Sequence, residues 1–205
     1  MTTNPATGLV AILRGITPAE AEPVAKALYA AGFRFIEVPL NSPEPFESIR
    51  TMRNALPNDC SVGAGTVLTV EDVERAREAG SNIIVSPNTD SQVIEATVAA
   101  GMRSYPGVAT PSEAFRAIKA GASSLKLFPA DAVGIEGMKA WLAVLPSHVE
   151  LLPVGGVDKS NLGAWADAGA RGAGIGSTLY KPGRPAEEVA ERAVELVAAW
   201  QKASN

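Results

Sequence analysis

The feature that most constrains the fold of this chain is a repeat in which apolar, strand-like segments alternate with helix-like segments. Five of the helix-like segments end in an Ala-Gly pair, and a glycine just past a helix supplies the left-handed residue that terminates it. An apolar stretch follows each pair within a few residues. The pairs are Ala31-Gly32, Ala79-Gly80, Ala100-Gly101, Ala120-Gly121 and Ala168-Gly169.

The apolar stretches predict eight strands separated by amphipathic helices. A strand followed by a helix, repeated at a spacing of roughly twenty-odd residues, is typical of parallel strands joined by right-handed crossovers. Thr17, Thr69 and Thr110 each precede a helix-like segment with an N-cap pattern, which supports the assignment. The predicted strands are 9–13, 34–38, 61–65, 83–86, 102–105, 124–128, 150–154 and 172–176.

This pattern predicts an α/β protein, a single-domain (β/α)8 TIM barrel over residues 1–205, because eight such units close into a barrel more readily than they form an open sheet. Its last helix is predicted over about 185–201. A doubly wound open sheet is the alternative, but it usually has a glycine-rich turn after the first strand, and this chain has only Arg14-Gly15-Ile16. One face of the last helix carries Val189, Ala193, Leu196, Val197 and Trp200.

The composition excludes several classes of function. At 46% hydrophobic and 20% charged residues, the chain has the balance of a globular protein. Its net charge of −4 and the lack of a Lys/Arg cluster argue against nucleic-acid binding. The absence of a secretory signal and of a membrane-spanning apolar run favours a cytoplasmic location. One cysteine, Cys60, and one histidine, His148, leave almost no basis for a zinc site, so the expected chemistry is metal-free or uses at most a carboxylate-bound magnesium ion.

Two isolated charges stand inside strand-like apolar runs. Lys126 lies in Ser-Leu-Lys-Leu-Phe, and Glu37 lies in Phe-Ile-Glu-Val. Burial pushes a lysine toward its neutral form, and a neutral amine is a nucleophile that forms an imine with a ketone. The two residues fall on the second and sixth predicted strands, and alternate strands of a barrel supply the same interior layer. We therefore expect both charges in one pocket, as a catalytic pair rather than a structural ion pair.

Active sites of barrels lie at the carboxyl ends of the strands, so residues there are further candidates. Glycine-rich turns end the last two predicted strands, and paired turns of this kind favour phosphate binding. Arg14 can bind a carboxylate or a phosphate, and an ordinary loop arginine is equally compatible with its position. Phe128 is expected to shield the Lys126 amine from water, although a phenylalanine that only packs in the core would occupy the same sequence position. The remaining candidates at strand ends are Thr66, Pro87, Gly155, Gly156, Gly176 and Ser177.

These segments resemble the family of 2-keto-3-deoxy-6-phosphogluconate and -galactonate aldolases, from Leu9 to about Tyr180. Within the family, Asn41 and Val154 resemble the galactonate branch, since the gluconate enzymes usually carry an arginine and a threonine there. The motifs that carry the resemblance are Ile36-Glu37-Val38, Gly63-Ala64-Gly65-Thr66-Val67, Ser86-Pro87-Asn88, Lys126-Leu127-Phe128-Pro129 and Gly155-Gly156-Val157.

The resemblance implies reversible cleavage of 2-dehydro-3-deoxy-6-phospho-D-galactonate to pyruvate and D-glyceraldehyde 3-phosphate. It makes Lys126 the imine-forming lysine and Glu37 the acid/base, with no cofactor and no metal. It assigns Arg14 and Thr66 to substrate binding, where we favour the pyruvate-derived carboxylate. It also implies that Val154 orients the substrate around C4 and that Gly156 and Ser177 meet the phosphate. A homotrimer is implied in the same way.

Three rival functions stay open at the level of sequence. The first is a gluconate-type or dual-specificity aldolase, which the rates on the two C4 epimers distinguish. The second is a phosphate-binding barrel isomerase or epimerase, which needs no lysine imine. The third, of a different class, is a non-catalytic sugar-phosphate-binding barrel, which needs no reactive amine.

Overall fold

A computed structural model describes residues 7–203 of the chain, in which strands and helices alternate as predicted. Residues 1–6 and 204–205 of the predicted domain lie outside the described residues. The strands are β1 (Thr7–Ile12), β2 (Phe33–Pro39), β3 (Ser61–Gly65), β4 (Ile83–Val85), β5 (Arg103–Tyr105), β6 (Gly107–Val108), β7 (Ser124–Leu127), β8 (Glu150–Pro153) and β9 (Ala173–Ile175). The helices are α1 (Pro18–Ala31), α2 (Pro45–Ala55), α3 (Val70–Glu78), α4 (Ser91–Ala99), α5 (Pro111–Lys119), α6 (Ala130–Leu142), α7 (Leu162–Asp167) and α8 (Ala186–Ala203).

Each of the eight predicted strands coincides with an observed strand, but the predicted count was wrong by one. The additional strand is β6, which follows β5 after a single residue, Pro106. Proline has no N–H group to donate to a sheet ladder. The chain changes partners at this point: β5 pairs with β4, whereas β6 pairs with β7. The carbonyl of Pro106 accepts a hydrogen bond from the Lys126 amide at 2.9 Å.

Every strand pair is parallel, and the strands fall into two sheets. One sheet has the order β5-β4-β3-β2-β1-β9, and the other has the order β6-β7-β8. The sheets are contiguous through Pro106 at one side, and a parallel bridge between Val154 and Gly174 links them at the other. The fold is therefore α/β with parallel strands, and the carboxyl ends of all strands lie at one end of the molecule.

The strands separate two apolar cores, because successive side chains of a strand point to opposite faces. Leu9, Ile84 and Leu151 belong to a large outer core between the strands and the helices. A small inner cluster on the opposite face of the strands contains Val10, Ile83, Val85, Tyr105 and Leu152 and packs against Phe35.

The predicted helix starts are confirmed by their hydrogen bonds. The Glu20 carboxylate accepts from the Thr17 amide at 3.0 Å, and the Glu113 amide donates to the Thr110 hydroxyl at 3.3 Å. The Thr69 hydroxyl accepts from the Asp72 amide. The five glycines of the Ala-Gly pairs have φ between 73° and 108°, the left-handed values expected for helix ends. The predicted face of the last helix is buried along its whole length.

The longest helix, α8, has charged residues along one side. None of the helices in residues 7–203 combines the length and the apolar character that crossing a membrane requires.

Candidate active site

Lys126 is the third residue of β7 and lies on the face of the strand that points away from the helices. Its neighbours Leu125 and Leu127 lie in the outer core, and the alternation of the strand places Lys126 on the opposite face. The side chain is only 7% exposed. Burial lowers the pKa of its amine, the carboxylate of Glu37 raises it, and the charge of Arg14 lowers it further. Burial therefore favours the neutral, nucleophilic form.

Glu37 lies on β2 between the outer-core residues Ile36 and Val38, so its side chain, like that of Lys126, points to the inner face of its strand. It is 2% exposed, and its Oε2 atom has no hydrogen-bond partner among the described residues. Burial raises the pKa of its carboxyl to about 7, against the opposing charges of Lys126 and Arg14. A carboxyl with this pKa gives and takes protons equally well at neutral pH.

Gly65, the last residue of β3, makes room for the Glu37 carboxylate. A Cβ added at Gly65 would lie 1.3 Å from Oε2 of Glu37, far inside the contact distance of two atoms. No side chain larger than hydrogen fits at this position unless the carboxylate moves. The glycine therefore belongs to the site, although it contributes no functional group.

The structure brings Lys126 and Glu37 to one cavity. Within the described part of the chain they form no ion pair within 4.0 Å; each group instead shifts the pKa of the other across the cavity. The other lining residues are Val10, Ile12, Val85, Tyr105, Leu152, Val154 and Gly174.

A second cavity of about 260 Å³ opens beside the first, at the ends of β8 and β9. The two cavities share Ile12, Val154 and Gly174 as lining residues, so they adjoin each other. Gly155 and Gly156 have φ of 99° and 69°, a backbone conformation that favours glycine. The second cavity is also lined by Arg14, Phe128, Gly155, Gly156, Val157, Asp158, Gly176, Ser177 and Thr178.

Arg14 follows β1 and lies at one cavity, while its charge acts on groups in the other. It lines the second cavity, and its charge lowers the pKa of both Glu37 and Lys126 in the first. Its guanidinium donates a short hydrogen bond to Oδ1 of Asn41 in the loop after β2. The next residue, Gly15, donates from its amide to the Ser42 hydroxyl at 2.9 Å. Two contacts therefore tie the loop that carries Arg14 to the neighbouring loop.

The other predicted residues are placed as follows. The Phe128 ring centre lies 4.6 Å from Nζ of Lys126, and its role in shielding the amine stays a prediction. Thr66 and Pro87 follow β3 and β4 at the same end of the molecule, but they line neither of the two cavities. Thr66 has φ of 57°, an unusual value for a residue other than glycine. Substrate contacts of Thr66 and Pro87 stay predictions.

Sequence reasoning missed several lining residues, notably Tyr105, Leu152, Asp158 and Thr178. Tyr105 and Leu152 resemble ordinary core residues in the sequence, and only the inward face of their strands distinguishes them. Asp158 and Thr178 each lie two residues beyond a glycine of the predicted turns, Gly156 and Gly176. Extending each predicted turn by two residues would have included them among the candidates.

Among residues 7–203 there is no group of three or more His, Cys, Asp or Glu side chains arranged to hold a metal ion. The single thiol, Cys60, is fully buried, and burial raises its pKa to about 11. This thiol belongs to the outer core rather than to the site.

A family model of the KDPG and KHG aldolases matches residues 5–192 of the chain. The chain belongs to this family. It is therefore an aldolase, a carbon–carbon lyase, and the buried lysine and carboxylate lie in the aldolase scaffold at the carboxyl ends of the strands.

Two relatives and one solved structure are similar to the chain over nearly its whole length. The chain is 50% identical over 192 residues to a probable 2-dehydro-3-deoxy-6-phosphogalactonate aldolase of Rhizobium meliloti (strain 1021), covering 94% of this chain and 91% of the relative. It is 47% identical over 195 residues to the 2-dehydro-3-deoxy-6-phosphogalactonate aldolase of Escherichia coli (strain K12), covering 95% of each. A solved structure of native KDPGal superposes with a TM-score of 0.95 at 45% identity, covering 99% of this chain and 98% of that one.

Proposed function

We propose that this chain is a class I aldolase that reversibly cleaves 2-dehydro-3-deoxy-6-phospho-D-galactonate to pyruvate and D-glyceraldehyde 3-phosphate. The observation that carries the proposal is a buried amine, Lys126, which shares a cavity with a buried carboxyl, Glu37. The galactonate substrate is supported by the names of the relatives that are 50% and 47% identical.

In the proposed reaction the neutral Lys126 amine adds to the C2 ketone, and the ketone oxygen leaves as water, forming a protonated imine. The C4 hydroxyl loses its proton and the C3–C4 bond breaks. The bonding electrons pass to the imine and form an enamine, and the C4 fragment leaves as the aldehyde. The enamine is then protonated at C3, and water hydrolyses the imine to release pyruvate.

Glu37 is the proposed acid/base for these steps. It protonates the oxygen that leaves from C2, and it takes the C4 hydroxyl proton and returns a proton to C3, directly or through water. A single carboxyl serves both directions only if its pKa lies near the working pH. The carboxyl of Glu37 has a pKa of about 7, which supports this role.

The two adjoining cavities suggest how the substrate lies. Its phosphate fits the turns of Gly155–Gly156 and Gly176–Ser177, where backbone N–H groups and a serine hydroxyl suit an anion. We assign its carboxylate to Arg14, whose charge acts on both Glu37 and Lys126, and to Thr66, and we keep Pro87 as a further proposed substrate contact. Val154 lines both cavities and therefore stands beside the middle of the substrate, where C4 passes.

The proposal requires no cofactor and no metal, because the protonated imine accepts the electrons of the breaking bond.

We further propose that the two sheets form one (β/α)8 barrel in a single domain, supported by their continuity through Pro106 and the Val154–Gly174 bridge. A cytoplasmic homotrimer is proposed as well, and sedimentation velocity tests its size. Four apolar residues on neighbouring elements are 43–48% exposed to solvent, and this supports a protein interface there. They are Leu68, Val70, Val98 and Phe115.

The decisive experiment traps the imine. The protein is incubated with pyruvate, reduced with borohydride, and digested for mass spectrometry of the Lys126 peptide. The expected result is a pyruvate-derived adduct on Lys126, and an active wild-type protein without that adduct would refute the imine mechanism. An isomerase, an epimerase or a non-catalytic sugar-phosphate-binding barrel predicts no adduct.

The substitution Lys126→Ala supplies the matching loss of function. We expect cleavage to fall by about a thousandfold or more, since the nucleophile is removed. The control is Lys119→Ala, which removes an exposed lysine of α5 and leaves cleavage unchanged. Normal cleavage by the Lys126→Ala variant would exclude the proposed nucleophile.

The C4 configuration is tested separately, with the gluconate and galactonate forms of the phosphorylated acid as substrates. A higher kcat/KM on the galactonate form is expected. A preference for the gluconate form assigns the chain to the alternative branch, and equal values indicate a dual-specificity enzyme.

A further inference from the structure

A polar network at the opposite end of the strands takes no part in the proposed reaction. Arg103, Ser124 and Glu150 are the first residues of β5, β7 and β8. They precede Tyr105, Lys126 and Leu152 by two residues, and side chains two apart on a strand share a face. The three polar side chains therefore project into the enclosed interior one layer beneath the lysine cavity.

The three side chains contact one another directly. The Ser124 hydroxyl donates to Oε2 of Glu150 at 2.8 Å, and Nη2 of Arg103 donates to the same oxygen at 3.3 Å. Arg103 also donates to the Ser124 hydroxyl at 3.5 Å. The guanidinium carbon of Arg103 lies 5.3 Å from the centre of the Phe35 ring and 5.4 Å from that of Tyr105.

Tyr105 connects this network to the cavity. Its side chain is 3% exposed, belongs to the inner apolar cluster and lines the lysine cavity. Burial raises the pKa of its phenol, while Arg103 lowers it, Glu150 raises it, and a hydrogen bond with Ser124 lowers it. The ring thus has the lysine cavity on one side and the polar network on the other.

We propose that Arg103, Ser124 and Glu150 are positioning residues that hold Tyr105 as the water-excluding floor beneath Lys126. The side chains of Arg103 and Glu150 are 47% and 42% exposed, so this end of the strands borders solvent. Without the network, water reaches the lysine cavity from below. The effect of this floor on catalysis depends on the proposed imine at Lys126. The exclusion of water by Tyr105 does not depend on that imine.

The effect on Lys126 is transmitted by water rather than by charge. Among the described residues, the titratable and charged groups that face Lys126 are Glu37 on β2, Arg14 after β1 and the neutral phenol of Tyr105 on β5. Within residues 7–203, Glu37 and Arg14 act on the amine through their charges: burial is a larger effect than the opposing charge of Glu37, and Arg14 acts in the same direction as burial. Removing a network residue leaves those two charges in place and changes only how well the amine is desolvated.

The test measures the ionisation of the Lys126 amine by competitive labelling with acetic anhydride over a range of pH, followed by peptide mass spectrometry. In Ser124→Ala and Glu150→Ala we expect the labelling profile of Lys126 to move to higher pH by about one pH unit, which is tenfold less neutral amine at neutral pH. Glu150→Gln keeps an acceptor for the Ser124 hydroxyl and is expected to stay near the wild-type profile. The control is Glu47→Ala, which removes an equally exposed ion pair with Arg50.

Profiles of Ser124→Ala and Glu150→Ala that superpose on the wild type would overturn the proposal, and so would a lower melting temperature with an unshifted profile, since that marks a purely structural network. Labelling requires no substrate. A wild-type protein that traps no pyruvate therefore refutes the imine mechanism alone, and the labelling profiles still decide the role of the floor.

Discussion

Burial acts in opposite directions on the two charged residues of the cavity. It lowers the pKa of the Lys126 amine and raises that of the Glu37 carboxyl, so it moves both residues toward their neutral forms. Their mutual attraction opposes both shifts, and for both residues burial is the larger effect. Burial therefore works against a structural ion pair, which would keep both charges, and it favours the neutral forms that the proposed reaction uses.

At the residue scale, Glu37→Gln tests the acid/base role. The amide keeps the size of the carboxyl but cannot transfer a proton, so we expect kcat to fall by about a hundred- to ten-thousandfold. The wild-type pH profile of kcat/KM is expected to show an inflection near the carboxyl pKa of about 7, and the variant is expected to lack it. An inflection that persists in Glu37→Gln would assign it to another group.

At the scale of elements, the end of β3 is shaped around the carboxylate on β2. Gly65→Ala would place a methyl group 1.3 Å from the present position of Oε2 of Glu37, so the carboxylate has to move. We expect kcat to fall at least about tenfold, since a small displacement of a catalytic group is costly. Steady-state kinetics together with circular dichroism separate this effect from unfolding.

The matched control for that variant is Gly163→Ala in α7. An added Cβ there meets only the Ala203 Cβ, at an ordinary 3.6 Å, and alanine favours a helix over glycine. Unchanged kinetics are expected. Wild-type activity in Gly65→Ala would show that Glu37 tolerates displacement and would weaken its proposed role.

The loops after β1 and β2 form a second local unit, because Asn41 holds the Arg14 guanidinium. In Asn41→Ala the guanidinium loses this acceptor and samples more conformations. A hydrogen bond to a charged group contributes about 1.5–3 kcal/mol, so we expect KM for the phosphorylated substrate to rise about tenfold with kcat nearly unchanged.

The control for Asn41→Ala is Asn54→Ala, which removes an exposed asparagine of α2. Its KM is expected to match that of the wild type. A fall in kcat without a change in KM in Asn41→Ala would contradict a positioning role for Asn41 in substrate binding.

At the scale of the whole molecule, the raised pKa of Glu37 links stability to pH. Below about pH 4.5 the carboxyl is protonated in both the folded and the unfolded chain. Between there and about pH 7 the unfolded chain loses this proton while the folded chain keeps it, so the free energy of unfolding falls as pH rises. The largest loss from this group is about 3 kcal/mol.

Urea denaturation of the wild type and Glu37→Gln at several pH values checks this linkage. The glutamine variant carries no titrating group here, so its stability relative to the wild type is expected to increase from pH 5 to pH 8. Taking the difference between the two proteins removes the contributions of the titrating groups that do not interact with Glu37. A difference that is constant with pH would mean that Glu37 ionises normally.

Local signals accounted for most of the architecture. Helix ends at Ala-Gly pairs, threonine caps and short apolar runs act over a few residues, and they located the strands and helices to within a few positions. They did not reveal the interruption at Pro106, because a change of pairing partner depends on the neighbouring strands. The isolated charges Lys126 and Glu37 were visible for a similar reason, since a single charge in an apolar run contradicts its local pattern.

The sequence by itself determined the alternating strands and helices, the one lysine and one glutamate that their apolar runs would bury, and the glycine turns beside them. Only the tertiary structure decided that these groups line two adjoining cavities, that Gly65 accommodates the Glu37 carboxylate, and that Tyr105 rests on a polar network beneath Lys126. The physical reason is range. Propensity and capping depend on neighbours along the chain, whereas desolvation and contact depend on side chains that different strands bring together in space.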